Sequence, residues 1–501
     1  MHTLSNQHVL VLGLGTSGLA MARWCVRNGA VVTVVDTRPS PPQLPVLTRE
    51  LPQATFLNAP FDASLVEGSS VRAVFKSPGL TPAEVAPVFI AAHAMGLWAS
   101  GELGLFSEAL SDLKLSREYN PKVLAVTGTN GKTTVTSLTG QLISRAGKTV
   151  AVAGNIGPAL LDTLSHALDN DSLPEVWVIE LSSFQLDQVT GFEPTAATVL
   201  NITQDHLDWH GSMSEYTNAK ARIFGDSALM VLNRDDAGVM ALLPTPAKGR
   251  APRQWTGFGG EMPQRPGDFG IEQVNGMVWL VRALESDETL KKRKGVEEEV
   301  HFQRLMPADA LRIRGRHNAL NALAALALAS AAGCALGPML YGLREYRGEP
   351  HRVEPIGVIN DVEFFDDSKG TNVGATAAAL NGLGADRKVV VILGGEGKGQ
   401  DFSPLAAPVE RFAHAVVLIG RDAGIIQSAL QGCGVPLKPA ASMSDAVTVA
   451  FESAKPGDAV LMSPACASFD MFDNYEHRAR AFCESVAALA DSRGIVLEGT
   501  A

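Results

Sequence analysis

Paired cysteines are the first thing this sequence lacks. Its five cysteines, Cys25, Cys334, Cys433, Cys466 and Cys483, are scattered and odd in number, which favours free thiols in a reducing compartment over a disulfide framework. Cys466 in "SPACAS" has no base motif beside it, so it reads as a packed thiol rather than a nucleophile. Long apolar runs are also missing, none reaching the ~18 residues of a spanning helix. Membrane insertion is therefore not expected. The opening residues are polar and lead at once into a strand, which reads as the absence of a signal peptide, so a cytoplasmic location is expected. There is no basic excess either. A net charge of −11 and a pI near 5.5 argue against nucleic acid as a partner. A small anionic ligand stays open, because a local loop can override the global sign. No short repeat and no low-complexity tract interrupts the chain.

What is present suits several folded units. The chain has 501 residues, 46% hydrophobic and 19% charged, enough for real cores and about three domains at ~150 residues each. The pattern predicts an α/β protein of three domains, at 1–117, 118–347 and 348–501. The first is Rossmann-like, the second a phosphate-loop ATPase domain with a mostly parallel sheet, the third again Rossmann-like.

The first unit reads strand (8–12), glycine turn (13–18), helix (about 17–28), strand (31–35) and then Asp36. "GLGTSG" fits G-x-G-x-x-G after a strand, which leaves a dinucleotide and another nucleotide equally open. "AVFKSPGL" (73–80) adds a strand and a Ser-Pro-Gly turn at the same sheet edge.

"VTGTNGKTT" (126–134) opens the second unit, between the strand "KVLAV" (122–126) and a helix over 133–147. Free N–H groups at a helix N-terminus, a lysine able to reach a terminal phosphate and a threonine able to hold Mg2+ make a triphosphate loop. Only Thr129 and Asn130 separate Gly128 from Gly131, two fewer than in the usual phosphate loop. Strands are expected at 149–154, 176–182, 195–203 and 228–233, with a hairpin around Asn275-Gly276. The stretch 244–300 reads as loop-rich, "KKRKGVEEE" (291–299) within it as a solvated charge block, and "GRHNALNALAALALASAAG" as a helix ending at Gly333. Glu180 ends a strand at the same edge as Lys132 and is placed to hold Mg2+. "NITQDHLDWH" (201–210) ends the next strand there, and His206 is favoured as a ligand over a structural histidine.

The third unit carries a hairpin ("EPIGVIN", "VEFFDDS") and strands at 388–395, 414–420 and 458–464. "DDSKGTN" (366–372) and "GGEGKGQDF" (394–402) each follow a strand. Two polar, lysine-bearing loops in one small unit favour an anionic-ligand site.

Taken together, "TGTNGKTT", "ELSSFQL", "NITQDHLD", "AKARIF" and "GRHNALNALAA" resemble the Mur ligases, ATP-dependent amide ligases of peptidoglycan precursor synthesis, over essentially the full length. These motifs alone also admit folylpolyglutamate synthase. "GLGTSG…DTR" at one end, with "DDSKGTNVGAT" and "SPACASFD" at the other, resembles the members that join D-glutamate to UDP-MurNAc-L-Ala.

The resemblance implies ATP and two Mg2+ ions, those two small-molecule substrates and a monomer. It implies that Gly128, Thr129, Asn130, Gly131, Lys132, Thr133 and Thr134 cradle the phosphates, with Asn321, Arg352 and Asp367 around the nucleotide. Thr133, Glu180, His206 and a carbamylated Lys220 would hold metal, and Lys132, Glu180, His206 and Lys220 would carry the catalysis. Gly15, Thr16, Asp36, Thr37, Arg38, Ser77 and Gly79 would bind the UDP moiety, and Asn155 and Gln185 the muramoyl end. Lys369, Thr371, Lys398, Ser468 and Phe469 would serve D-glutamate. Gly370 and Tyr475 depart from the family pattern, where Ala and Phe are usual.

Overall fold

Runs rich in valine, isoleucine and leucine, each followed by a glycine turn and a helix, become three separate sheets. A computed structural model describes residues 4–187, 189–246, 252–285, 300–385, 387–495 and 497. The first sheet contains β1 (His8–Leu12), β2 (Val31–Asp36), β3 (Thr55–Asn58), β4 (Val71–Lys76) and β5 (Trp98–Gly101). Its order is β3-β2-β1-β4-β5, parallel throughout. The chain reverses direction across the sheet beside β1, and ligands of such sheets bind at the strand C-termini there.

The second sheet holds β6 (Lys122–Thr127), β7 (Val150–Gly154), β8 (Val176–Glu180), β9 (Ala196–Val199), β10 (Leu229–Asn233), β11 (Trp255–Phe258), β12 (Phe269–Val274), β13 (Met277–Glu285) and β14 (Val300–Pro307). Its order is β14-β13-β12-β11-β10-β9-β6-β8-β7. The strands from β7 through β12 are parallel, and β13 and β14 add an antiparallel edge. Asn275 and Gly276, with φ of 51° and 78°, make the expected tight hairpin turn. The loop-rich reading from residue 244 needs one correction. "WTGF" within it is β11, three strand-favouring residues around one glycine, paired in parallel with β10. The charge block at 291–299 lies outside the described residues.

The third sheet comprises β15 (Glu354–Ile359), β16 (Val362–Asp366), β17 (Val389–Gly394), β18 (Ala413–Ile419), β19 (Leu437–Pro439) and β20 (Ala459–Met462), in the order β15-β16-β20-β17-β18-β19. Only the β15–β16 hairpin is antiparallel.

Helices cover these sheets according to their apolar faces. The helix Arg316–Ala331 buries Ala322 through Ala329 without a break. A helix apolar all round belongs inside, and it packs with the helix Lys132–Arg145 beneath the central sheet. The first two units share one core, in which Trp24 and Phe106 join Trp177. Arg23–Asp162 (2.9 Å) and Arg27–Asp169 (2.6 Å) bridge the rim of that junction. No helix among the described residues is long and apolar enough to cross a membrane.

Candidate active site

The central strand β6 is flanked by β8 and β9, so the turns after all three open at one sheet edge. The loop after β6 is short and held by its neighbour. Asn201, just after β9, accepts from Asn130 N (2.8 Å) and donates to Asn130 O (3.1 Å), while Thr129 N donates to Asn201 O (3.0 Å). Thr129 Oγ1 donates to Thr203 O (3.1 Å) and accepts from Thr203 N (3.0 Å). Gly128 and Gly131 take φ of 154° and 83°, a conformation that side-chain-bearing residues resist. Gly131 also caps the helix Lys132–Arg145, aiming its free N–H groups outward.

Two lysines converge on this loop. Lys132 Nζ donates to Gly128 O (3.0 Å) and Thr129 O (2.9 Å), and Lys220 Nζ donates to the same Gly128 O (2.9 Å). Lys220 is fully buried, with its ammonium 4.5 Å from the Tyr216 ring centroid. Burial first, then the charge of Lys132, holds its pKa well below the usual lysine range. Burial likewise lowers that of Lys132, against the attraction of Glu180.

Glu180 closes β8 and is buried; Asn155 Nδ2 donates to its Oε1 (2.8 Å), and Oε2 has no hydrogen-bond partner. An orphaned buried carboxylate oxygen is costly unless a cation meets it. Burial lowers the His206 pKa despite the nearby Asp205 carboxylate, leaving an imidazole able to ligate metal. Its ring rests edge-on against Phe184, centroids 4.7 Å apart. Thr133 offers its hydroxyl at the helix start. The Glu180 carboxylate and the Thr133 hydroxyl fit Mg2+, a hard cation that takes oxygen ligands, and the His206 nitrogen is a softer donor beside them.

The third unit closes over the loop. Arg352 Nη2 donates to Thr133 Oγ1 (2.8 Å), and Asn372 and Asn130 exchange amide hydrogen bonds at 3.1 and 3.3 Å. The result is a cavity of about 500 Å³ lined by Thr129, Asn130, Gly131, Lys132, Thr133, Asn155, Glu180, His206, Arg352, Lys369 and Thr371 among the sequence-predicted residues. Thr134 and Asn321 lie beneath it; a Cβ on Gly131 would meet Asn321 Oδ1 at 2.8 Å. Asp367 is buried behind Arg352 and accepts from Ser463 Oγ (2.6 Å); burial pushes its pKa up to about 7.

Other predicted residues do not line this cavity, although the Lys398 charge acts on His206. Lys398 is exposed and lies over the exposed Phe469 ring (5.8 Å), with Ser468 buried beside it. Gln185 spends its carbonyl oxygen on Ser182 N (3.0 Å) in a capping box. Cys466 is fully buried and pushed up to about 12, consistent with a packed thiol. Asp205, Ile156, His351, Asn372, Tyr475 and Glu476 also line the cavity. Sequence reasoning gave none of them an individual role, although Asp205 and Asn372 sit in motifs it had singled out.

At the other end, Gly15 caps the helix Thr16–Arg27 beside Asp36, which ends β2. Asp36 accepts from Leu14 N (2.8 Å) and from Arg38 N and Nε (both 2.9 Å). Burial would raise its pKa, but these bonds to the charged form win and lower it to about 2. Ser77 Oγ donates to Gly13 O (2.9 Å), tying the turn after β4 to the glycine turn. Thr37 and Gly79 are exposed beside this pair of turns.

Three family models tile the chain: a Mur ligase MurD-like N-terminal domain (residues 7–99), the Mur ligase middle domain (126–329) and the Mur ligase glutamate ligase domain (351–466). A UDP-N-acetylmuramoylalanine–D-glutamate ligase of Albidiferax ferrireducens is 68% identical over the whole of both chains. The chain belongs to the Mur ligase family. A ligase of the same description from Ralstonia nicotianae is 55% identical over 99% of each chain. Among solved Mur ligases, MurF from Acinetobacter baumannii matches with a TM-score of 0.57 at 18% identity, over 96% of this chain and 92% of that one. The UDP-N-acetylmuramate-alanine ligase MurC from Thermotoga maritima matches at 0.53 and 20% identity, over 97% and 100%. At such identities the likeness concerns the Mur ligase fold, three α/β units in series. Membership of the family implies the use of ATP and Mg2+.

Proposed function

We infer that this chain is the ATP-dependent ligase that adds D-glutamate to UDP-N-acetylmuramoyl-L-alanine in cytoplasmic peptidoglycan precursor synthesis. The observation that carries the reading is the cavity, where a triphosphate loop, an unpartnered Glu180 oxygen and the cations Arg352 and Lys369 face one another. The 68% identity to a ligase of that description supports the choice of substrates.

In this reading the alanine carboxylate of the UDP substrate attacks the γ-phosphorus of ATP, and ADP leaves. The D-glutamate amine then attacks the acyl phosphate carbon and loses a proton, and phosphate departs as the amide forms. The Lys132 ammonium and the free N–H groups of the cap and first helical turn, Gly131 to Thr134, hold the phosphates where charge develops, while Thr129 and Asn130 fix the loop through Asn201. Bound Mg2+ would neutralise charge on the transferring phosphoryl group. Thr133 and Glu180 are read as holding one ion, and His206 with carbamylated Lys220 as holding a second. Asn321, Arg352 and Asp367 are assigned to the nucleotide. Lys369, Thr371, Lys398, Ser468 and Phe469 are assigned to D-glutamate. Gly15, Thr16, Asp36, Thr37, Arg38, Ser77 and Gly79 are read as the UDP site, with Asn155 and Gln185 toward the muramoyl end. The domain boundaries are set at 117/118 and 347/348, and the protein is taken as a monomer.

Phosphate release should require ATP, Mg2+, UDP-MurNAc-L-Ala and D-glutamate together, with L-glutamate inactive. Equal turnover with L-lysine, meso-diaminopimelate or a folate in place of D-glutamate would overturn the assignment. The UDP site gives a separate test. A Cβ on Gly18 would lie 2.0 Å from Gly13 O and 2.9 Å from Ser77 Oγ. Gly18→Ala should therefore destabilise the protein by about 1–3 kcal/mol, the usual cost of overpacking. It should also raise KM for the UDP substrate more than KM for ATP. Urea denaturation and steady-state kinetics would measure both, and a silent substitution would mean that the turn is not held as described.

A further inference from the structure

One arrangement inside the cavity serves none of the roles above. Tyr475 is the first residue of the helix Tyr475–Ser492, fixed by the cap in which Asn474 Oδ1 accepts from His477 N (2.7 Å). Its hydroxyl lies 2.7 Å from Lys369 Nζ, and the ammonium also sits over the ring, 4.0 Å from the centroid. Glu476, the next residue, lines the same cavity, and its carboxylate charge acts on Lys369. The His351 ring packs edge-on against Tyr475 at 6.1 Å and is itself held by the buried Asp366 at 2.7 Å. Lys369, Tyr475 and Glu476 all line the cavity.

We propose that Tyr475 is a positioning residue for D-glutamate: its hydroxyl holds the Lys369 ammonium at the cavity wall and keeps it from pairing with Glu476. The proposal rests on the reading of Lys369 as a D-glutamate contact. The physical reason lies in what an incoming carboxylate must displace. A lysine ammonium is a point charge on a mobile stem and turns to whichever anion is in reach. Paired with Glu476, it would have to break a charge-assisted bond before meeting the substrate. The phenol prevents this by offering its oxygen lone pair to Lys369. The substrate then competes with a neutral oxygen. The ring beneath keeps the ammonium in place without neutralising it.

Tyr475→Phe keeps the ring and removes only the hydroxyl. It should raise KM for D-glutamate about three- to tenfold, the net worth of one hydrogen bond. The kcat at saturation and the KM values for ATP and the UDP substrate should stay within about twofold, a scatter well under one such bond. Adding Glu476→Gln to Tyr475→Phe should bring KM for D-glutamate back toward the parent value, because the competing carboxylate has gone. A merely structural tyrosine would show no such rescue. An unchanged KM in Tyr475→Phe, or no recovery in the double variant, overturns the proposal. Lys369→Met separates this from the underlying reading. If it raises KM for D-glutamate while Tyr475→Phe does not, only the positioning role falls. If it leaves KM for D-glutamate unchanged, the assignment of Lys369 falls as well.

Discussion

Lys132→Ala should lower turnover by at least about 10²–10³, the range for removing one preorganised charge-stabilising donor. The side chain sits at the first position of the helix Lys132–Arg145 and turns its ammonium back over the loop, onto Gly128 O and Thr129 O. Those carbonyls are weak partners for a cation, so a phosphate oxygen can replace them at little cost. Its surroundings are tuned in the same direction. Burial lowers the pKa, the Glu180 and Asp205 charges raise it, and the result is an ammonium poorly solvated and ready for an anion. The effect should fall on kcat more than on the KM for ATP, because charge builds on the transferring phosphoryl group in the transition state. Single-turnover phosphate release with saturating substrates would measure it, with the melting temperature as a control for folding. A variant with near-parental turnover would remove this loop from the chemistry.

How much of this was legible in the sequence depends on how local each signal is. The strands around Lys132, the helix after it and the Asn275-Gly276 hairpin are written in short windows, where periodicity and turn chemistry act alone. Glu180 and His206 could be picked out because the strands they follow flank β6, and such ends share one sheet edge. Asn201 was not given a role, although it holds the loop through three hydrogen bonds. Nothing in "LNIT" marks an asparagine that pairs with a segment 71 residues away. Arg352 to Thr133 and Asn372 to Asn130 span 219 and 242 residues; without the family resemblance no sequence window joins them. Gln185 shows the opposite case. Ser182 and Gln185 stand at capping-box spacing, a purely local signal, and in the structure its side chain serves that cap. Tyr475 was visible only as a departure from the family pattern, and its partners Lys369 and Glu476 come together only when the third unit has folded.

The other large effect concerns Lys220. Its amine is fully buried, shares the Gly128 carbonyl with Lys132, and has its pKa driven well below the usual range by that burial and that neighbouring charge. The sign is clear. A lowered pKa means the proton is lost as pH rises through the lowered value, so at neutral pH the amine is driven toward its uncharged, nucleophilic form. Such an amine can add to carbon dioxide, forming an N–C bond and releasing one proton, and the carbamate that results is an anionic oxygen donor. A cation at this position would repel metal; a carbamate would complete a ligand set with His206. Lys220→Ala should accordingly lose most of its turnover, about 10² or more if one charge-stabilising group is lost. Formate or acetate should restore part of it by filling the vacated oxygen position. Recovery will be incomplete, because a free anion loses translational freedom on binding and a tethered one does not. Lys220→Arg should stay inactive, since guanidinium keeps its charge and does not carbamylate. Steady-state phosphate release at constant ionic strength, with chloride as the control anion, reads all three outcomes. An active arginine variant would show that Lys220 works as a cation, and its proposed role as a metal ligand would then be withdrawn.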